Sequence, residues 1–252
     1  MTASAPAGSA RALPILLAYV TAYVDVTCYL ALFNTFTAFI AGSVILLGTE
    51  LIHETDGGVA FNDSTVPIKL TVVLGYLAFT TLWVLLLRRL RNWRPLLVVL
   101  LGVEAVLLAL FTAGGWQTAP LAGPQAFATL SLALLAVLTM SLQSAIQEML
   151  LRGPMPTSVS AGNLTKLAGL ALDAMRRRRA GQLPEGGTRS LVLPFFAALL
   201  AFVVGAISGA YGYAEFGFPA MIAPTLLLAL AALLATGAAT AAPAGAGQGR
   251  QT

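Results

Sequence analysis

The chain has 252 residues, of which 58% are hydrophobic and only 10% are charged, and its mean hydropathy is +0.85. Soluble domains carry about 25% charged residues, so this composition excludes a water-soluble globular protein and indicates a membrane protein. The net charge of +4 does not indicate nucleic-acid binding, because the basic residues lie at the ends of apolar stretches, where they orient membrane proteins. A single cysteine (Cys28) excludes an internal disulfide, and a single histidine (His53) excludes a histidine-based metal cluster or catalytic triad. We therefore expect no enzyme, no metal and no cofactor.

Eight apolar stretches follow an N-terminal tail rich in alanine, serine and glycine. The first stretch follows Arg11 and continues past Asp25, so we expect an uncleaved helix rather than a signal peptide. A membrane span needs about 20 mostly apolar residues, and the third, fourth, fifth, seventh and eighth stretches meet this length. The second and sixth are weaker, and the sixth carries the polar residues Asn163, Lys166 and Asp173. The stretches cover residues 13–32, 36–52, 68–87, 95–111, 127–151, 159–175, 191–211 and 219–236.

The charged loops discriminate between topologies, because cytoplasmic loops are enriched in lysine and arginine. Residues 88–94 contain four arginines, residues 176–179 are all arginine, and the loop at residues 53–67 is acidic. If all eight stretches span, the two basic segments fall on opposite faces of the membrane. If the second and sixth stretches instead enter and leave on one face, six spans remain and both basic segments are cytoplasmic. We expect this arrangement, although a seven-span version with only the sixth stretch re-entrant also satisfies the charges.

The two halves of the chain resemble one another. Ala41-Gly42-Ser43 in the second stretch is echoed by Ala161-Gly162-Asn163 in the sixth, and glycine-containing apolar segments follow at Gly75 and Gly205. The predicted fold class is an all-α integral membrane protein of six to eight transmembrane helices, with an inverted 3+3 repeat and an all-spanning 4+4 repeat as the alternative. We assign residues 1–11 to a disordered tail, 12–113 to the first membrane repeat, 114–124 to an inter-repeat loop, 125–238 to the second repeat and 239–252 to a disordered C-terminal tail.

Four short segments carry a resemblance to a known family. They are Ala22-Tyr23-Val24-Asp25-Val26, residues 36–43, Ser141-Leu142-Gln143-Ser144-Ala145 and residues 160–165. They resemble the Gly-x-x-Asp-Ala, Phe…Thr-Gly-Asn, Gly-Leu-Gln-Asn-Ala and Thr-Gly-Asn-Leu-Thr segments of the YoaK-like bacterial membrane proteins, whose function is unknown. The resemblance covers residues 13–236 and implies a multi-pass protein of the bacterial cytoplasmic (inner) membrane. The chain departs from the family pattern, which implies a different ligand or none, at Ala22, Ala41, Ser43, Ser141, Ser144 and Ala161.

Polar residues inside the apolar stretches are the candidates for substrate binding. Asp25 lies midway along the first helix, where a charge is costly and usually faces the interior or a cavity. The alternative is a buried aspartate that is protonated or hydrogen-bonded to a neighbouring helix. Gln143 and Gln147 are four residues apart on one face of the fifth helix, where amides bind polar solutes or simply join helices.

The two interrupted segments supply the other candidates. Gly42, Ser43, Gly162 and Asn163 would allow the chain to bend and to present helix N-termini, with their free N–H groups, at the middle of the membrane. Lys166 lies one turn beyond Asn163 and would attract an anion. The alternative is close helix packing through small residues.

These features predict a small secondary transporter or permease for a small polar or anionic solute. The alternative function is a non-transporting membrane factor that binds a partner protein or lipid. We expect the lipid bilayer and an unidentified solute as partners, without nucleic acid, and the sequence does not exclude an oligomer. An enzyme is disfavoured because the chain lacks a His/Cys ligand cluster, a Gly-x-Ser-x-Gly motif and a phosphate-binding glycine loop.

Overall fold

The computed structural model describes residues 9–55, 64–90, 93, 95–151, 165, 168–169, 172–173, 175–176 and 189–240. Within these ranges the chain forms seven α-helices and no strand, which confirms the predicted all-α class. A π-helical turn, Gln147–Leu151, continues α5, and a 3₁₀ turn, Phe218–Met221, precedes α7. The helices are α1 (Ser9–Ala31), α2 (Ile40–Thr55), α3 (Val66–Leu90), α4 (Leu96–Thr118), α5 (Phe127–Ile146), α6 (Arg189–Phe216) and α7 (Ile222–Thr240).

Five helical segments are long and apolar enough to cross a membrane, which confirms the prediction of a multi-helix membrane protein. They are Ala12–Ala31, Val66–Leu90, Leu96–Thr118, Phe127–Leu151 and Leu193–Phe216. Two apolar segments are shorter, Ile40–Ile52 in α2 and Phe218–Leu233 around α7. The second stretch is therefore short, as expected, and the last helix, Ile222–Thr240, has 19 residues.

A sharp corner precedes the last helix. Gly217 adopts a φ of 64°, a left-handed conformation that glycine reaches without a steric penalty. Pro219 occupies the first turn of the following 3₁₀ segment, where its missing N–H would have no helical partner in any case. The chain therefore leaves α6 and re-enters the bundle within a few residues, so part of the eighth stretch forms the corner.

Helices α1 and α6 form a close, parallel pair. Gly205 and Gly209, four residues apart in α6, face the backbone carbonyl groups of Tyr19 and Tyr23 in α1, and a Cβ atom added at Gly209 would lie 2.7 Å from the Tyr23 oxygen. Both residue numbers rise together along the two helices, so the helices run in the same direction. Glycines at this spacing allow membrane helices to approach at backbone distance.

A second close pair is formed by α3 and α5. The indole nitrogen of Trp83 donates to the Leu138 carbonyl at 3.3 Å, and the Tyr76 hydroxyl donates to Ser144 Oγ at 2.9 Å. Helix α4 packs against α5 and α7 and completes the bundle. Large apolar side chains remain exposed on the outer faces of α3 and α6, where lipid hydrocarbon rather than water suits them, for example Leu77 and Ile207.

Candidate functional site

The segment between α1 and α2 folds back along α1. After α1 ends at Ala31, Phe33 and Asn34 adopt positive φ angles of 53° and 57°. Such angles are uncommon for residues other than glycine, although asparagine tolerates them better than most. The turn directs residues 35–39 back to Asp25, which precedes the end of α1 by about 9 Å of helix.

The carboxylate of Asp25 caps the start of α2. Its Oδ1 accepts hydrogen bonds from the backbone N–H groups of Thr37 at 2.6 Å and Ala38 at 2.7 Å, and its Oδ2 accepts one from Phe39 N–H at 3.0 Å. The Thr37 hydroxyl adds a longer contact of 3.4 Å. These N–H groups precede a helix and would otherwise lack partners, and a negative charge is favourable at a helix N-terminus. The backbone of the interrupted segment therefore occupies both oxygens of Asp25.

Gly42 and Ser43 hold the interrupted segment together from the other side. The Ser43 hydroxyl accepts a hydrogen bond from Phe36 N–H at 2.9 Å and donates one to the Phe36 carbonyl at 2.8 Å. A Cβ atom at Gly42 would lie 2.5 Å from the Phe39 ring, so only glycine fits without a shift. The Phe36 ring stacks on Tyr29 of α1, with centroids 4.6 Å apart. The structure therefore brings Asp25, Gly42 and Ser43 together.

The far end of α2 is tied to α3 by an ion pair. Lys69 Nζ lies 2.5 Å from Glu50 Oε1 and 2.6 Å from Thr65 Oγ1. The Lys69 side chain is fully buried, whereas Glu50 is 29% exposed. Sequence reasoning missed this pair, although Glu50 and Lys69 are single charges within apolar stretches and could have suggested it. Asp25 and Lys69 thus hold α2 at both ends.

Gln143 joins α5 to α1 close to Asp25. Its Nε2 donates to the Leu17 carbonyl at 2.8 Å and to Thr21 Oγ1 at 2.7 Å. Thr21 precedes Asp25 by four residues, so the two side chains share one face of α1, about one helical turn apart. Gln143 Oε1 is buried and has no hydrogen-bond partner. Gln147, also predicted as a site residue, begins the π-helical turn and leaves its buried Nε2 without a partner.

Glu104, in α4, is an acidic residue buried in the interior of the helix bundle. Its side chain is fully buried, and neither carboxylate oxygen has a hydrogen-bond partner. The sequence placed Glu104 within an apolar stretch but did not indicate a partner for it. Burial without a partner, the feature that distinguishes it, becomes visible only in the folded chain.

The second interrupted segment lies largely outside the described residues. Gly162, Asn163 and Lys166 all fall there, so their predicted role stays a prediction. The described residues of the sixth stretch that follow Lys166 are helical, and Asp173 among them is exposed. The internal repeat therefore stays a prediction, since only the first of its two segments lies among the described residues.

One comparison with known proteins found a match. A family model described as "Protein of unknown function (DUF1275)" matches residues 13–234, a range that takes in, apart from Ala12, the five candidate spans found among the described residues. Comparisons with curated proteins and with solved structures found no match. The family match agrees with the expectation of a family of unknown function, while the narrower YoaK-like resemblance stays a prediction. The chain belongs to this family of proteins of unknown function.

Proposed function

We propose that the protein is a small secondary transporter for a small polar or anionic solute, located in a bacterial cytoplasmic membrane. The observation that carries this proposal is the irregular segment between α1 and α2, residues 32–39, which folds back along a helix of membrane-spanning length and is held by Asp25 about 9 Å before the end of that helix. Irregular backbone at membrane depth is tolerated only where protein buries it or where it lines a cavity. Interrupted helices of this kind form the solute sites of many transporters.

In this proposal Asp25 positions the interrupted segment, and the solute binds to groups that the segment presents. Both carboxylate oxygens of Asp25 already accept backbone hydrogen bonds, so a direct contact with an anionic solute is disfavoured. The N-terminal end of α2 and the corresponding end of the sixth stretch, with Gly162, Asn163 and Lys166, would form the two sides of the site. Gln143 of α5 bonds to Thr21, one helical turn before Asp25 in α1, and would line this site.

The packing of helices supports a two-fold repeat. Helix α6, from the second half of the chain, packs on α1, the first helix of the first half. Helix α3, from the first half, packs in turn on α5, the first helix of the second half. Glycines mark both contacts. Gly205 faces Tyr19 of α1, and a Cβ atom at Gly75 would lie 3.7 Å from Val137 of α5.

Six spans with two re-entrant segments remain the arrangement that we favour. Parallel packing of α1 and α6 requires an odd number of spans between them, which holds for the arrangements with six or eight spans and fails for the one with seven. The length of α2, 16 residues, favours a segment that returns to the face it entered.

Solute uptake tests the proposal. A thermal-shift screen of small anions, sugars and amino acids would identify the solute that stabilises the purified protein most. We expect that solute to accumulate in proteoliposomes with the wild-type chain, and Asn163→Ala and Asp25→Asn to reduce the initial rate about tenfold or more, an effect of about 1.4 kcal/mol. Equal flux in all three proteins would refute the site, and no stabilisation by any solute would favour the non-transporting alternative.

A further inference from the structure

We propose that Glu104 is a binding site for a monovalent cation, either H⁺ or Na⁺. The side chain is fully buried in the middle of α4, and both oxygens lack hydrogen-bond partners. A carboxylate that is removed from water without a partner is strongly disfavoured. A bound proton or metal cation removes that penalty, since it neutralises the charge and supplies the missing electrostatic partner.

The helices packed against α4 offer Glu104 no counter-ion. Helix α4 packs on α5, on the 3₁₀ turn Phe218–Met221 and on α7. None of these three elements contains an Asp, Glu, His, Lys, Arg, Cys or Tyr residue, as their sequences show. An acidic residue inside a membrane bundle is by default a candidate for ion or proton transfer, and here the described protein supplies no competing structural role.

The orientation of Glu104 is toward the bundle interior. Phe111 and Gly115 lie two and three helical turns further along α4, on the same face, and both contact Phe218. Phe218 in turn packs on Tyr213 of α6. Glu104 therefore faces the interior of the bundle, on the N-terminal side of this aromatic contact along α4, and not the lipid. An ion that entered between the helices would meet it there.

A second unpartnered oxygen lies at a similar depth. Helices α4 and α5 are consecutive, and the residues between Thr118 and Phe127 join them. Counted from that connection at 1.5 Å per residue, Glu104 lies about 21 Å along α4 and Gln143 about 24 Å along α5. Gln143 Oε1 is buried and has no hydrogen-bond partner, although the nitrogen of the same amide binds α1. Oxygen atoms of carboxylate and amide groups are the ligands that hard cations prefer.

The test measures cation binding on the full chain in detergent, without transport. The melting temperature is followed while NaCl replaces choline chloride at constant ionic strength, and in a second arm while the pH is varied in choline chloride. If Na⁺ is the ligand, we expect wild-type Tm to rise by about 2–4 °C in the first arm; if H⁺ is the ligand, we expect a similar rise on acidification in the second arm.

The variants assign the response to Glu104. Glu104→Gln keeps the shape of the side chain but has no negative charge to attract Na⁺ and no carboxylate to protonate, so it should abolish the response of Tm in whichever arm the wild type shows it. Glu215→Gln removes an exposed carboxylate at the end of α6 and should leave the response intact. A response of Glu104→Gln equal to that of the wild type, or no wild-type response to either cation, would overturn the proposal.

A second measurement keeps the test decisive if Glu104→Gln does not fold. Infrared difference spectra of the wild type, recorded with and without the stabilising cation, should contain a carboxyl band, and that band should shift in Glu104→Asp. A band that is unchanged in Glu104→Asp would assign the cation to another carboxylate and overturn the site.

Cation binding at Glu104 does not require the protein to be a transporter. Only the role of that cation as the driving ion rests on the proposed function. The two fail in different experiments. Cation-dependent stability without solute uptake by any liposome preparation would contradict the transporter and leave the site intact. Uptake that persists at full rate in Glu104→Gln, with no cation response of Tm, would contradict the site and leave the transporter intact.

Discussion

Oδ1 of Asp25 lies 2.6 Å from the backbone nitrogen of Thr37, so a side chain near the last third of α1 holds the segment that leads into the next helix. Two further N–H groups, from Ala38 and Phe39, share the same carboxylate. Helix α2 consequently begins beside α1, about 9 Å before the end of α1, and not beyond that end. This contact explains why a membrane helix retains a buried aspartate, and it fixes the position of an irregular segment on which the proposed solute site depends.

Replacement of Asp25 should destabilise the protein in proportion to the hydrogen bonds lost. Asp25→Ala leaves three backbone N–H groups without their acceptor, and we expect a loss of about 3 kcal/mol, since hydrogen bonds to charged groups contribute roughly 1.5–3 kcal/mol each and water can replace some of them. Asp25→Asn keeps one accepting oxygen and should lose about half as much. Thermal unfolding followed by tryptophan fluorescence measures both changes.

The matched control for Asp25 is Asp173→Asn, because Asp173 is exposed and lies in another helix. We expect the melting temperature of this variant to change by less than about 1 °C, as for most exposed substitutions. If Asp25→Ala were as stable as the control, Asp25 would not hold the interrupted segment.

Gly205 should tolerate no larger residue, because α1 approaches it at backbone distance. A Cβ atom there would collide with the Tyr19 carbonyl group, which cannot move without the rest of α1. We expect Gly205→Ala to lower stability by about 1–3 kcal/mol, the usual effect of overpacking. Gly102→Ala is the matched control, since a Cβ atom at Gly102 meets nothing within 4 Å. The control should gain up to about 1 kcal/mol from improved helix propensity; the same sign in both variants would contradict the close pairing of α1 and α6.

The ion pair of Glu50 and Lys69 should show strong coupling. Lys69 is fully buried, so Glu50→Gln leaves a buried ammonium group with hydrogen-bond acceptors but without its counter-ion. Removal of one member of a buried pair costs about 3–5 kcal/mol, and we expect a value near the lower limit because Glu50 is partly exposed. A double-mutant cycle with Lys69→Met should return a coupling energy of about 1–3 kcal/mol. Additive effects would mean that the pair does not fasten α2 to α3.

Hydropathy predicted the helices of this protein well, because each spanning segment carries its own signal. Asp25 was also found from sequence, since a charge within an apolar stretch is conspicuous. Its partners were not, because the contact with Thr37 depends on the reversal at Phe33 and Asn34, two residues that rarely adopt left-handed angles. No local pattern encodes such a turn.

Contacts between helices were the other feature that the sequence did not reveal. Lys69 lies 19 residues from Glu50, and although each is a single charge within an apolar stretch, the sequence does not show how the two helices pack. Glu104 is a case in which a partner is missing. Its lack of a counter-ion depends on which three elements pack against α4, and the sequence does not show this. The corner at Gly217, which takes in the first residues of the eighth stretch, was not predicted either, since the positive φ of that glycine is a property of the fold.

The most direct test of the account is the side of the membrane on which the ends of α2 and of the sixth stretch lie. Cys28 is fully buried, so single cysteines introduced at Ser4, Thr55, Asn92 and Gln182 can be labelled with an impermeant thiol reagent against a low background. If α2 and the sixth stretch return to the face that they entered, Ser4 and Thr55 label from opposite faces, and Asn92 and Gln182 both label from the cytoplasmic face. Labelling of Ser4 and Thr55 from one face, with Asn92 and Gln182 on opposite faces, would mean that all eight stretches span and would contradict the account.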